Sequence, residues 1–494
     1  MLETTYQFLS IGVFLFLGIL ASKISSFLKV PILIVFLVIG MLAGSEGIGK
    51  IDYSNFYGAN YVGTLALAFI LFSGGYDTSW SDIKKVLFRG TLLSSLGVLA
   101  TGVLLGIFVA WYLGYSLEWG LLLGCVISST DAAAVFAIFR SKGFGLKGDL
   151  KPLLEYESGS NDPMAAFLTI FMINMILHPG ASYWIILPNF VIKMTIGVLV
   201  GIIIAKGVAY LFNKLKLEYE GLYYVLGIGT VFIAYSVAEL CQGNGFMSVY
   251  VCGVVMGNSK FVYKHGLARF NDGLAWLMQV AIFLILGLLV SPSGLIEVVS
   301  EGIVIGLALM FIVRPLVVFL CLFKSSYRFK EQILIAWGGF RGAAPIVLAT
   351  FPAIYGIENS QELFNVVFFI VFTSIIIQGK TLLLLANWFH LDKKDKQRLR
   401  APIEFEETGN SNGRMYEFEI PGNSSCIGKS LAEIQLPGGS LVLLIRRGDC
   451  FVVPNGSTVI EANDDLLMFY DPIAYPEVEK ILTDNVQADS DSDA

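Results

Sequence analysis

Charge is scarce in this chain. Of its 494 residues only 15 % are acidic or basic, against 55 % apolar, whereas an average soluble domain carries roughly 25 % charged residues. A soluble core cannot absorb this much apolar surface, and chains of this length normally divide it among several domains. The shortage excludes a soluble enzyme, a nucleic-acid binder and a secreted disulfide scaffold, and with a mean hydropathy of +0.72 it places the chain in a membrane. Paired cysteines are lacking too. Cys125, Cys241, Cys252, Cys321, Cys426 and Cys450 are scattered, four of them in apolar segments, and read as small packing residues. Histidine is nearly absent, at three residues. No nucleophile elbow or histidine-partnered serine occurs, and nothing in the chain resembles a metal-ligand cluster, which leaves an intramembrane enzyme without machinery. The first seven residues lack a basic leader segment, and the apolar run behind them reads as a first span.

Long apolar runs are what the chain has instead. A helix needs about 20 mostly apolar residues to cross roughly 30 Å of hydrocarbon. Thirteen such spans are predicted, near 6–22, 31–45, 59–74, 88–112, 119–138, 153–177, 187–212, 219–240, 245–257, 272–290, 296–323, 331–351 and 362–388; the second and ninth are short and contain glycine. Every second loop is basic: Lys23 and Lys29; Lys84, Lys85 and Arg89; Arg140, Lys142, Lys147 and Lys151; Lys214 and Lys216; Lys260, Lys264 and Arg269; Lys324, Arg328 and Lys330. The alternate loops hold only Lys50. Basic loops stay cytoplasmic, so the N-terminus is expected outside and the C-terminal region inside.

Residues 391–494 hold 10 basic against 19 acidic residues, leaving the body slightly basic. The expected division is a membrane domain over 1–390, a linker over 391–414, a small cytosolic α+β domain over 415–485 and a disordered tail over 486–494. In the third part "MYEFEI", "LVLLIR", "CFVV" and "DDLLMFY" read as strands and "KSLAEI" as a short helix.

The few charges within the spans carry the functional signal, because intramembrane ionisable groups are costly and mark functional paths. At 1.5 Å per residue, Asp131, Asp162, Arg314 and Arg341 all fall roughly 15 Å deep. Asp131 lies in "ISSTDAAAVFAI" and Arg341 in "WGGFRGAAPIVLA", spans five and twelve, seven apart and antiparallel, each with a small-residue break at mid-depth. A matched pair of broken segments is the signature of an inverted-repeat transporter. Tight helix packing would explain the small residues but not the charges.

Span six reads "EYESGSNDPMAAF". Positions four apart share a helix face, so Glu157 with Asn161 and Ser158 with Asp162 form two stripes. Glu157 can pair with Arg314. Asp162, with Ser158, Thr130 and Asp131, can then present oxygens to a mobile ion, and Pro163 loosens the helix beside it. The alternative is a purely structural ion-pair network. One free carboxylate among neutral oxygens suits a monovalent cation, since calcium would want several carboxylates. That carboxylate holds a cation or a proton but not both, so the two should exchange one for one, without net charge. A gated cation channel is the rival reading, although an open pore favours rings of oxygens.

"PILIVFLVIGMLAG", "SSTDAAAV", "ESGSNDP", "VRPLVV" and "GGFRGAAPIVLA" resemble the signatures of NhaP-type monovalent cation–proton antiporters across essentially all of 1–390. The resemblance implies an all-α fold of thirteen helices with inverted repeats and two broken crossing helices, a homodimer in a bacterial inner membrane, and a core that moves against a scaffold. It implies Asn161–Asp162 as the electroneutral pair, Asp162 as carrier, Thr130, Asp131 and Ser158 as co-ligands, and Glu157–Arg314 as the structural ion pair, with the cation at Asp162, Ser158 and Thr130. Ser73, in "ILFSGG", stands where many relatives place an acid. Residues from "IGKSLAEI" to "DDLLMFY" are similar to the C-terminal subdomain of the RCK (TrkA-C-like) regulators of potassium transport. That likeness implies pairing of two copies and a small regulatory ligand or nucleotide there, with no other cofactor, and it tilts the expected ion towards K+ over Na+.

Overall fold

A computed structural model describes residues 2–28, 31–132, 135, 136, 139, 144–180, 182–215, 217–394, 414–448, 450–471 and 474–483. Much of the later half of predicted span five, most of the expected linker and the expected 486–494 tail lie outside the described residues. The chain divides into two compact units, Met1–Lys260 with Gly266–Lys396, and Phe261–His265 with Gln397–Ala494.

The first unit is a helical body: α1 (Leu2–Leu28), α2 (Ile32–Ala43), α3 (Phe56–Asp77), α4 (Trp80–Leu113), α5 (Leu117–Val126), α6 (Leu150–Leu177), α7 (Ile186–Lys214), α8 (Gly221–Leu240), α9 (Gly245–Gly257), α10 (Lys264–Leu289), α11 (Val299–Cys321), α12 (Phe329–Trp337), α13 (Ala343–Ile354) and α14 (Ser360–Phe389). Eight of these, α3, α4, α6, α7, α8, α10, α11 and α14, are long and apolar enough to cross a membrane. Shorter apolar helices occupy the predicted second, fifth, ninth and twelfth spans, and Phe8–Leu20 forms the apolar stretch of α1.

Helices that share no hydrophobic drive in lipid associate through close packing of small residues. Glycine does this at several helix pairs. A Cβ on Gly124 of α5 would stand 2.2 Å from the Gly102 carbonyl oxygen of α4, one on Gly253 of α9 2.4 Å from the Phe72 oxygen of α3, and one on Gly40 of α2 2.4 Å from the Leu284 oxygen of α10. Two helices also widen into a π turn, α4 at Leu93–Gly97 and α11 at Leu309–Val313. Each precedes one of the interrupted segments, so the two irregular pairs recur in the same order along the chain.

Within the body, β1 (Phe144–Leu146) pairs antiparallel with β2 (Asp392–Lys394), and Lys147 donates through Nζ to the His390 carbonyl at 2.8 Å. The sequence reading assigned 391–414 wholly to a linker. Its first residues instead fold back from α14 as a strand against the segment before α6.

The second unit holds a four-stranded antiparallel sheet in the order β3 (Arg414–Glu419), β6 (Asp465–Tyr470), β4 (Ser440–Arg447) and β5 (Cys450–Val452). Two helices accompany it, α15 (Leu431–Ile434) and α16 (Tyr475–Thr483). Ile420, Ile445, Ile460, Leu466, Met468 and Leu482 form its core. Arg447 grips the buried Asp464 with two bonds, Nε to Oδ1 at 3.0 Å and Nη2 to Oδ2 at 2.8 Å, the forked geometry that only arginine offers. At the start of α15 the Ser430 backbone N–H and hydroxyl donate to Glu433, and those bonds hold its carboxyl below the ordinary glutamate range.

Candidate functional site

Two interrupted helices meet at the centre of the body. α5 stops after Val126, and residues 128–131 run without helix before the chain turns helical again at Ala132. α12 stops at Trp337, and α13 begins at Ala343 after a break at 338–342. The breaks cross: the Asp131 N–H donates to the Phe340 carbonyl at 2.8 Å. Glycine is required there because the backbones run against charged side chains. A Cβ on Gly342 would lie 2.0 Å from Asp131 Oδ2, and one on Gly339 would lie 2.7 Å from Arg314 Nε.

Helix ends leave unsatisfied carbonyls and a partial negative charge. Just past the end of α5, Arg341, 2 % exposed, donates through Nη1 to carbonyls of the break itself, those of Ser128 at 2.7 Å and Ser129 at 2.6 Å. Its guanidinium thus holds the first break in place. α14 supports the second break: Gln378 donates to the Trp337 carbonyl at 3.0 Å, the Arg341 N–H donates to Ser374 Oγ at 3.3 Å, and Ser374 donates to Gln378. Sequence reasoning missed Ser374 and Gln378. Their spacing of four within an otherwise apolar span was the available signal.

α6 carries the remaining predicted residues, and its two stripes separate as read. On one, Glu157 accepts from Arg314 Nη2 at 2.6 Å, both side chains being fully enclosed, and Asn161 donates through Nδ2 to Thr130 Oγ1 at 2.6 Å. On the other, Ser158 Oγ accepts the Ala132 N–H at 3.0 Å. The hydroxyls of Thr130 and Ser158 therefore tie α6 to the first break. Asp162 Oδ1, like Glu157 Oε2 and Asn161 Oδ1, is buried without a hydrogen-bond partner, but of the two carboxylates it is Glu157 that an arginine pairs among the described residues.

Asp162, Thr130, Asp131 and Ser158 line one cavity of about 200 Å³, which extends along α3 past Gly74 to Asp77 and Thr78, and to Glu155 and Lys151 at the start of α6. Those ends adjoin the basic loops. Tyr250 of α9 and Gln279 of α10 also line it; neither was singled out from sequence, because an uncharged polar residue in a span has no obvious cost. Ser73 is buried in α3 and is not part of the cavity wall. Lys193 of α7 lines a second cavity at the other end of α6. Among the described residues no group of three or more His, Cys, Asp or Glu side chains is placed to hold a metal. The cavity offers oxygens: a carboxylate with hydroxyls beside it, chemistry suited to hard, weakly held cations and to protons.

Residues 12–388 match the family described as sodium/hydrogen exchanger, transmembrane, and residues 415–483 match the TrkA-C domain. The chain is 36 % identical over 476 residues to the K(+)/H(+) antiporter NhaP of Alkalimonas amylolytica, covering 96 % of this chain and 83 % of that one. It is 34 % identical to the K(+)/H(+) antiporter NhaP2 of Shewanella sp. (strain ANA-3), over 91 % of this chain and 78 % of that protein. The Na(+)/H(+) antiporter ApNhaP of Aphanothece halophytica is 27 % identical over 73 % of this chain and 70 % of its own. In fold, the body is similar to the sodium proton antiporter MjNhaP1 of Methanocaldococcus jannaschii, with a TM-score of 0.68 at 24 % identity, covering 78 % of this chain and 99 % of that one. The chain belongs to the transmembrane sodium/hydrogen exchanger family and carries a TrkA-C domain after its membrane body.

Proposed function

We propose that the protein is an electroneutral monovalent cation/proton antiporter, exchanging K+ for H+ at Asp162. The observation that carries this reading is the unpartnered, buried carboxylate oxygen of Asp162 beside a cavity, on the same helix as a glutamate already neutralised by Arg314. Asp162 binds either a cation, with Thr130, Asp131 and Ser158 supplying further oxygens, or a proton. Asn161 contributes no charge, so one positive charge travels each way per cycle. Arg341 holds the crossing in register and takes no cation.

K+ is favoured over Na+ because relatives covering nine-tenths of the chain are named K(+)/H(+) antiporters, and because a TrkA-C domain accompanies the body. Na+ exchange by the same mechanism is the second reading, on the more distant Na(+)/H(+) relative. The remaining elements are thirteen crossings with the N-terminus outside and the basic loops and tail in the cytoplasm of a bacterial inner membrane. A homodimer whose core shifts elevator-fashion against a scaffold, and a tail domain that regulates it through a small ligand, complete the reading. The test is proton movement in everted vesicles on addition of K+, Na+ or Li+ over a range of pH, with and without residues 401–494. K+ should move protons best, and removing the tail should change the dependence on conditions rather than abolish exchange. A cation gradient that moves no protons sinks the proposal.

A further inference from the structure

The second cavity, about 260 Å³, lies at the far end of α6 and is lined by Ile170 and Asn174 of that helix and by His178 just past its end, with Lys193, Glu239 and Asn244. Between the two cavities α9 touches α6 on either side of Asp162. Asn244, at the start of α9, donates through Nδ2 to the Pro163 carbonyl at 3.0 Å, in a buried setting. Six residues on, the Tyr250 ring rests on Gly159, where a Cβ would meet Cε2 at 2.2 Å. Asn244 lines the second cavity and Tyr250 the first, so the divide between them is this strip of contact. α9 is fastened elsewhere by glycine packing, to α3 at Gly253 and Gly257 and to α7 at Gly197 and Gly201. α6 is fastened by its polar bonds to Thr130, Ala132 and Arg314. The Asn244–Pro163 bond is thus a polar fastening between two separately braced groups of helices, placed next to the carrier carboxylate.

We propose that this hydrogen bond is the latch that closes the Asp162 site to the second cavity, and that the second cavity, with the Glu239 carboxylate in its wall, is the cation's route on that side. The inference rests on the exchange reading above and assigns Asn244 as a positioning residue for it. A single neutral hydrogen bond has a modest net strength, which suits a fastening that must open in every cycle.

Asn244→Ser separates the latch from local structure. Asn244 Oδ1 also caps α9 by accepting the Met247 N–H at 2.9 Å; serine caps a helix comparably but is too short to reach the Pro163 carbonyl. The exposed Cys241 and Cys450 are first replaced by serine. Reporter cysteines are then placed singly, Ile170→Cys in the second cavity and Gly74→Cys in the first, where a Cβ meets nothing within 4 Å. A membrane-impermeant methanethiosulfonate is applied from each face. Asn244→Ser should raise labelling of Ile170→Cys roughly fivefold, the equilibrium weight of one lost neutral hydrogen bond, and lower labelling of Gly74→Cys. Unchanged rates at both reporters overturn the latch, and so does a rise at both, which would mean general loosening. Failure of the exchange reading shows separately, as absence of cation-driven proton movement in the otherwise unmodified chain.

Discussion

The two stripes of α6 lie about 100° apart on one helix and treat their carboxylates in opposite ways. Glu157 is buried against Arg314 at 2.6 Å, and Asn161, one turn on, is held to Thr130. That stripe is a fixed part of the framework. Ser158 and Asp162 face the cavity, and among the described residues no arginine or lysine pairs with the Asp162 carboxylate. A buried charge that is paired holds its position, and a buried charge that is not paired must find a proton or a cation. The difference teaches that the site is defined less by how many charges the apolar helices carry than by which of them no countercharge pairs.

Substitutions can break the contrast at either stripe. The largest effect is expected from Asp162→Asn, which removes the buried carboxylate of the helix that no arginine pairs among the described residues. Cation-driven proton movement in everted vesicles should fall to the background of vesicles lacking the protein, while the yield of folded protein is kept. Activity persisting in this variant would move the carrier elsewhere. Next comes Glu157→Ala, which strands Arg314 in low dielectric at a cost of about 3–5 kcal/mol. Thermal unfolding in detergent should show a lower midpoint, with most of the loss recovered by the double replacement Glu157→Leu, Arg314→Met, since a paired charge can be exchanged for packed apolar groups. No recovery would mean that Glu157 does more than neutralise Arg314.

Gly342→Ala tests the crossing rather than either stripe. Its Cβ would stand 2.0 Å from Asp131 Oδ2, so the break must shift by about 1 Å, a displacement that costs up to on the order of 100-fold in positioned chemistry. Maximal transport rate should fall by that order with little change in the yield of folded protein. The smallest change in rate, but the most specific, is expected from Asn161→Asp. It places a second carboxylate beside Asp162 and removes the donor to Thr130. If the unmodified chain exchanges without net charge, as proposed, this variant's exchange should become sensitive to membrane potential, because each uncompensated charge per cycle is worth ~2.3 kcal/mol per 100 mV. Patch or potential-clamped vesicle measurements distinguish the two slopes.

Much of this was legible in the sequence because the bilayer makes charge expensive. Asp131, Glu157, Asp162, Arg314 and Arg341 stood out as charges within apolar runs, and helical spacing alone separated the two stripes. Arg341 is the instructive exception. Its depth could be read, but its bonds to the Ser128 and Ser129 carbonyls could not, since a broken helix end attracts a guanidinium through backbone groups that have no letter in the sequence. Thr130 and Ser158 were read as free ligands, yet both hydroxyls are also engaged in fastening α6 to the break. Ser374, Gln378, Tyr250 and Asn244 escaped notice because neutral polar residues in spans are common. The pairing of Phe144–Leu146 with Asp392–Lys394 joins two three-residue strands almost 250 positions apart, beyond the reach of any local pattern.

The most direct test of a single carboxylate serving two ions is the apparent KM for K+ as pH falls, measured as proton movement in vesicles with the potential clamped at zero. If proton and cation compete for Asp162, KM should rise about tenfold for each unit of acidification once the carboxylate is mostly protonated, with the maximal rate at saturating K+ unchanged, because a cation binds only the deprotonated ligand. A KM that stays constant across that range would show that the two ions occupy different groups, and would contradict exchange at Asp162.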